Sequence, residues 1–390
     1  MRIALLANAA NRHTHRWATW LAARGHDVRV FSDETPGAAL EYGAVRVVPP
    51  EWSMLRLAYT FKIGASPYAN NREKWHAYKR ALRAWKPDVL HAHEALAYGP
   101  MLPHFPEFPR VLTPWGGDMA SLGGSDAERA KLVLAACGAA DVIATNAPGF
   151  EESWAAASGV EIECFHLFSW GVDLETFKRS DAQESKALLE KVAPSLNSGF
   201  VFSPRSAQRH YGIEAICEGW KRAETGLPLL VLRGGAREEE WRAVRERVGS
   251  DERVVLAEHV FSPREMALLY GASSAVLSVP ERDLLSMTAL EALACGAVLI
   301  QTRLPSYVEA MRGLDEEEDS RLRGLLIEKA GTEQVAEVIR RAVALPREER
   351  KRLAAHNRAV IERDHDWQKQ APRMEDVYAV AKKRHGGRLR

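Results

Sequence analysis

Short apolar runs and amphipathic stretches alternate along this chain, and their spacing predicts its elements. "IALLA" (3–7) reads as a buried strand, "HRWATWLAARGH" (15–26) as a helix with apolar positions at helical spacing, and "DVRVFS" (27–32) as the next strand. Gly25 stands where a helix commonly stops. Further strands are predicted at "DVLHAH" (88–93), "PRVLTPW" (109–115) and "DVIATN" (141–146), with helical segments such as "NREKWHAYKRALRAWKP" (71–87) between them. Strands that alternate with helices pair in parallel and are covered on both faces.

After "SWGVDLETFKRSD" (169–181) the apolar pattern loosens, and 180–198 is polar and helix-like before a strand resumes at "GFVFSPR" (199–205). The boundary is placed there, giving domains 1–180 and 181–366. The second half repeats the theme. Strands are predicted at "GFVFSP", "PLLVLRGG", "RVVLAE", "SAVLSVP" and "GAVLIQT", with helices such as "YGIEAICEGWKRAE", "EEEWRAVRERVG" and "PREMALLYGA" between them. "WQKQAPRMEDVYAVAKKR" (367–384) is expected to form one closing helix, about 367–385, that packs back on the first domain and leaves a disordered basic tail. The expected fold class is α/β: two consecutive doubly wound parallel-sheet domains with a ligand cleft between them.

Composition narrows the picture. A length of 390 residues is long for one core and comfortable for two. Lys and Arg number 53 against 52 Asp and Glu, so no global charge argues for nucleic acid as a partner. Cys137, Cys164, Cys217 and Cys295 form no C-x-x-C pair and lie among small or apolar neighbours, which predicts reduced thiols in a cytoplasmic protein. No segment reads as a signal peptide or as a membrane span.

The candidate chemistry concentrates in "PERDLLSMTALEALACGAVLI" (280–300). Asp283 falls in the loop after a strand, and 286–294 is a predicted helix with Ser286 as its cap, whose first backbone N–H groups suit phosphate or polar hydroxyls. Glu291 lies more than a turn inside, among Leu290, Ala292, Leu293 and Ala294. A carboxylate in that company needs a partner, and two vicinal ribose hydroxyls would supply one. The alternative, that Asp283 is a turn residue and Glu291 a solvated helix position, stays open on these residues alone.

"RDLLSMTALEALACGAVLI" resembles the nucleotide-sugar-binding signature of the retaining glycosyltransferases of family 4, with GT-B fold, in which two acids are separated by seven residues. Here the acids are Asp283 and Glu291, and the first is one methylene shorter than the family's glutamate. "HTHRWATWLAARGHDVRVFS", "DVLHAHEALAYG", "VLTPWGGDM", "WGVDLETF" and "NRAVIERDHDWQKQAPRMEDVY" resemble further family segments in the family's order. The resemblance implies an acceptor-binding first domain and a donor-binding second domain. It implies that Glu291 binds the ribose, that Asp283 holds donor-sugar hydroxyls, and that Leu284, Leu285, Ser286 and Met287 offer backbone amides. It further implies that Arg205 grips the diphosphate, that Gly234 and Gly235 line the donor cleft, and that the backbone near Val260 meets the base. The reaction implied is transfer of a sugar from a nucleotide-diphosphate sugar to a hydroxyl of a sugar, glycolipid or small-molecule acceptor, with no metal or other cofactor.

Three departures bear on that reading. The family's lysine about five residues after the arginine is missing from "RSAQRHYGIEA", so Arg209 or His210 substitutes, or Arg205 serves alone. "NAANRHTHRW" replaces a glycine-rich turn, and Trp115 stands where many members carry a histidine. Gly116 belongs to the same loop, and Asp118 is a candidate contact to acceptor or sugar, which with Asp283 and Arg205 completes the catalytic candidates. An inactive GT-B binding or partner subunit is the alternative reading; a dehydrogenase is disfavoured because no G-x-G-x-x-G follows the first strand.

His15 and Arg16, with His13, are expected to border the acceptor site, against ordinary helix capping. His91 and His93 are read as pointing to opposite faces of their strand, which disfavours a shared metal, with His93 toward the acceptor and His91 in the core. The segment from Arg56 to Lys86 carries eight basic residues and one acid among aromatics. It is either a solvated basic helix or a patch that meets the inner surface of a membrane.

Overall fold

A computed structural model describes every residue except 38–39, 52–73, 120–121, 123–125, 147, 180, 311–324 and 389–390. By its internal contacts the chain divides into Met1–Phe168 with Pro372–Arg390, and Ser169–Ala371. Ser169–Arg179 goes with the second unit for a visible reason. Val172 exchanges backbone hydrogen bonds with His365 (2.6 Å) and Trp367 (2.9 Å), and Phe177 is buried in that unit's core.

In the first unit the described residues form a seven-stranded sheet. Its strands are β1 (Arg2–Leu6), β2 (Asp27–Phe31), β3 (Arg46–Val48), β4 (Val89–His93), β5 (Arg110–Thr113), β6 (Val142–Thr145) and β7 (Phe165–Leu167), in the order β3-β2-β1-β4-β5-β6-β7. The described residues of the second unit form six strands: β8 (Val201–Ser203), β9 (Leu229–Leu232), β10 (Val254–Ala257), β11 (Ala275–Ser278), β12 (Leu299–Thr302) and β13 (Leu325–Ile327), in the order β10-β9-β8-β11-β12-β13. Every pairing is parallel. Central strands such as β4, β5, β8 and β11 are buried along their whole length, as strands covered on both faces must be.

Chain order reverses between β1 and β4 in one sheet and between β8 and β11 in the other. Ligands of open α/β sheets sit beyond the carboxyl ends of the strands at such reversals. The loops leaving these four strands are therefore where chemistry is to be sought.

Helix α1 (Arg12–Ala23) follows β1 and is capped by the Asn11 side chain, which accepts from the His13 amide. Helix α2 (Ala127–Ala139) covers one face of the first sheet. In the second unit α3 (Ile213–Ala223) follows β8 and α4 (Met287–Ala294) follows β11. Helix α5 (Thr332–Ala344) packs against α3 so closely that a Cβ on Gly219 would meet the Val335 side chain at 2.5 Å.

The expected single closing helix is broken. Trp367–Gln370 makes one short turn, and after Pro372 helix α6 (Arg373–Arg388) runs on through most of the basic tail. Proline lacks the N–H an unbroken helix would need there. α6 packs on the first unit: Tyr378 bonds His91 Nδ1 at 2.9 Å, and Glu375 pairs with Arg24 and His26, each at 2.9 Å.

Candidate functional site

At the carboxyl edge of the second sheet, Arg205 follows β8 and its side chain is 10% exposed. Its Nη1 lies 2.8 Å from Asp283 Oδ2, in the loop after β11, and also donates to Ser286 Oγ. The guanidinium sits 3.9 Å from the centroid of the Tyr211 ring. Burial alone would weaken the guanidinium's charge, but the Asp283 carboxylate overrides it and raises the Arg205 pKa above its ordinary value. The Asp283 carboxylate is in turn held on both oxygens. Oδ1 accepts from the Leu284 amide (2.9 Å), and Oδ2 accepts from the Tyr307 hydroxyl (2.8 Å) as well as from Arg205.

Ser286 caps α4 by accepting from the Ala289 amide at 3.3 Å, as its sequence position suggested. Glu291 is half-buried, and the Tyr270 hydroxyl donates to its Oε2 at 3.4 Å. The side chains of Leu284 and Leu285 are in the core, and Met287 packs against it. The turn after β9 lies against the Arg205 loop: Gly234 has φ +55°, a Cβ there would sit 2.9 Å from Ser206 Cα, and Ala207 donates to the Arg233 carbonyl at 3.1 Å. Gly235 continues that turn. Val260, in the loop after β10, is 70% exposed.

Arg209 does not join this group. Its side chain is 86% exposed and reaches Glu214 at 4.0 Å. The cause is the tight turn Arg209–Tyr211 before Gly212, whose φ is +72° and where a Cβ would come 2.4 Å from the Val279 carbonyl oxygen. That turn carries Tyr211 under Arg205 and throws Arg209 outward. Arg205, nearly buried and stacked on a tyrosine, is the cation at this edge, and His210 lies close enough that burial and then Arg205 lower its pKa.

At the carboxyl edge of the first sheet, His93 ends β4 and is 2% exposed. His91 and His93 share one face of the strand, their rings 4.5 Å apart, and do not point to opposite faces as expected; the period of a strand is two, so residues two apart face the same way. Both His91 nitrogens are engaged, by the Tyr378 hydroxyl (2.9 Å) and Thr113 Oγ1 (2.7 Å), so that ring is structural. His93 has no hydrogen-bond partner on either ring nitrogen among the described residues. Burial pushes its pKa down to about 3.

Trp115 stands beside two imidazoles, with ring centroids 5.9 Å from His93 and 6.0 Å from His13. Burial, then Arg16, pushes His13 down to about 3 as well. His15 is turned away, bonding the Glu41 carbonyl at 2.8 Å with its ring against Tyr42, because it lies two positions further along α1 on another face. Asp118, expected to contact acceptor or sugar, is 3% exposed and accepts from the amides of Ala95 (2.6 Å), Trp115 (3.1 Å) and Met119 (2.9 Å). Its carboxylate folds the 115–119 loop, including Gly116 at φ +102°, onto the end of β4, and so positions Trp115. Burial raises the Asp118 pKa against those amide bonds.

Sequence reasoning missed Tyr211, Tyr270 and Tyr307. Tyr211 lies inside a quoted motif, but Tyr270 and Tyr307 reach the site from other helices and leave no local pattern. Among the described residues no group of three or more His, Cys, Asp or Glu could hold a metal ion. None of their helices is long and apolar enough to cross a membrane.

Residues 10–176 match the model of Glycosyltransferase Family 4, and residues 209–376 match a Glycosyl transferase-like family. The chain is 28% identical over 237 residues to a D-inositol 3-phosphate glycosyltransferase of Xylanimonas cellulosilytica, a match that covers 59% of this chain and only about half (54%) of that protein. A sucrose-phosphate synthase from Thermosynechococcus elongatus superposes with a TM-score of 0.77 at 18% identity, covering 97% of this chain and 98% of that one. Anabaena HepE, in complex with UDP and glucose, superposes with a TM-score of 0.76 at 14% identity, over 97% and 99% of the two chains.

Proposed function

We propose, from the premise that this chain belongs to the family 4-like glycosyltransferases of GT-B fold, that it moves a sugar from a nucleoside diphosphate sugar to an acceptor hydroxyl with retention and without a metal ion. The observation that carries the reading is Arg205, buried at a chain-order reversal, locked against Asp283 and adjacent to the capped start of α4 with Glu291 one turn further in. HepE, a protein of like fold, is seen with UDP and glucose, which supports a donor of that kind here.

Sugar transfer develops positive charge at the anomeric carbon while a diphosphate departs, so the protein must stabilise the leaving charge and hold a hydroxyl in place. Arg205 and the first amides of α4 are disposed for the diphosphate, the arginine through a planar fork with five donors. Glu291 is disposed to accept from the two ribose hydroxyls. Asp283 holds Arg205 and, once a donor is seated, also faces its sugar. Leaving-group oxygen takes the acceptor proton in this reading, so no side chain acts as an essential nucleophile.

The acceptor class is a sugar, glycolipid or small molecule. For the 56–86 run both readings stand, a solvated basic segment and a patch that meets a membrane surface, and residues 56–73 lie outside the described ones. The cysteines Cys137, Cys164, Cys217 and Cys295 are free and buried, as a reducing cytoplasm would keep them.

Thermal shift with UDP, GDP and ADP tests the reading, since a ligand at a hundred times its dissociation constant adds about 2.7 kcal/mol. One of the three should raise the melting temperature, and Glu291→Ala should remove that shift while leaving the ligand-free Tm within a few degrees. If none of the three does so, the proposal fails. Binding without hydrolysis or transfer of any matching sugar nucleotide would instead favour an inactive binding subunit.

A further inference from the structure

At the amino end of the second sheet, away from the edge that carries Arg205, Asp283 and Glu291, lies a cavity of about 550 Å³. Part of its wall is one face of the helix Ala182–Val192: Ala182, Ser185, Lys186 and Leu189 follow at the three- and four-residue spacing that aligns side chains along a helix. The rest comes from the approach to β8, with the buried Leu196, and from Gly271 and Ala272, which end the helix Pro263–Ala272 just before β11. Gly271 is exposed and is not among the glycines of left-handed backbone, so no turn demands it there. Inside a helix glycine is less stable than alanine, and what it does here is leave the wall open.

The charge of this lining is one-sided. Among the described residues Arg179 and Lys186 line it and no acid does. Neither cation makes a hydrogen bond or an ion pair among those residues, whereas Arg233, Arg247 and Arg253 of the same unit each meet a carboxylate. Glu184 and Glu190, the acids of the lining helix, are engaged elsewhere, the first by Arg264 and the second by the Asn197 side-chain amide at 2.8 Å.

We propose that this cavity is a second ligand site, for a phosphate monoester with a compact, partly apolar body. Two unanswered cations without an acid match the two charges that such an ester carries above a pH of about 6. The guanidinium fork can take two phosphate oxygens and the ammonium a third. Gly271 and Ala272 stand at the carboxyl end of their helix, which carries a partial negative charge, so the phosphate belongs on the Arg179 and Lys186 side and a second anionic group is unwelcome across from it. That disfavours a nucleoside diphosphate and sets this cavity apart from the donor edge. Leu189 and Leu196 offer apolar contact to the body of the ester, so phosphate alone should be held more weakly.

Isothermal titration of the full chain at constant ionic strength, with phenyl phosphate as probe and inorganic phosphate and phenol as controls, tests this. Phenyl phosphate should bind about fivefold or more tightly than phosphate, and phenol should not bind. Arg179→Ala and Lys186→Ala remove side chains that hold nothing in the fold, so each should keep the Tm and weaken phenyl phosphate about fivefold or more. Ala182→Trp fills the cavity from an exposed position and should abolish binding. Arg209→Ala removes an exposed arginine at the other edge of the sheet and should bind as wild type does, and an excess of UDP should not displace the probe. No saturable binding of phenyl phosphate, phosphate or phenol bound as tightly as the ester, full binding retained in both cation variants or in Ala182→Trp, an equal loss in Arg209→Ala, or displacement by UDP would each overturn the inference.

Discussion

At the carboxyl edge of the second sheet the charged groups answer one another: Arg205 is pinned by Asp283 and Ser286, Asp283 by Tyr307 and its own loop, and Tyr211 lies under the guanidinium. At the same edge of the first sheet the side chains of His93 and Glu94 have no hydrogen-bond partner among the described residues, and the nearby Asp118 is consumed in folding its own loop. The two halves share a topology and differ in where their polar groups are satisfied. A site for a highly charged leaving group needs its cation fixed beforehand, because an unpaired buried guanidinium would be costly and mobile.

The largest effect should come from breaking the closed side. Arg205→Ala leaves Asp283, 17% exposed, without its cation, and removing one partner of a nearly buried pair should cost roughly 2 to 4 kcal/mol of stability. The nucleotide-induced thermal shift should vanish. Arg205→Lys keeps the charge but loses the planar fork over Tyr211, so it should recover much of the stability and little of the nucleotide binding. Chemical denaturation with and without UDP reads both. Equal recovery of binding by lysine would mean that a point charge suffices and that the stacked, paired geometry is incidental.

The open side should show itself in acid. A histidine whose folded pKa is about 3 and whose unfolded value is 6.5 binds its proton more readily when unfolded, so stability falls as pH drops from about 6.5 toward 3. His93 alone should account for about 2 kcal/mol of loss between pH 8 and pH 5. His93→Phe removes the titrating group and two nitrogens that have no partner among the described residues. Its stability difference between those two pH values should be smaller by about that amount. An unchanged difference would show that His93 reaches water or a partner in the fold.

Much of the architecture was legible because buried parallel strands announce themselves as apolar runs, and the run at β4, "DVLHAH", or at β11, "SAVLSV", is long enough to stand out. β3, β7 and β13 have three residues each and lie at sheet edges, too short for a pattern to accumulate. Ser286, Asp283 and Glu291 could be found because a cap and a spacing are local. Their partners could not, since Tyr307 and Tyr270 arrive from elements 24 and 21 residues away. The expectation that His91 and His93 face opposite ways misreads the strand period, and the part Asp118 plays in folding its loop was not legible because nothing local reveals three amides converging on it.

The smallest expected effect sharpens the comparison most, because it loosens the closed side without opening it. Tyr307 is 1% exposed, and its hydroxyl gives Asp283 Oδ2 one of the two bonds on that oxygen. Tyr307→Phe keeps the ring and removes that bond, which should cost about 1 kcal/mol, a factor of roughly five, in whatever depends on the carboxylate being held still. If Asp283 chiefly positions Arg205, nucleotide affinity should fall by that factor with both UDP and UDP-glucose. If Asp283 chiefly meets the donor sugar, UDP-glucose binding should weaken and UDP binding should not. Isothermal titration with the two ligands separates these, and an unchanged affinity for both would show that Arg205 is held well enough by Ser286 and Tyr211 without the tyrosine hydroxyl.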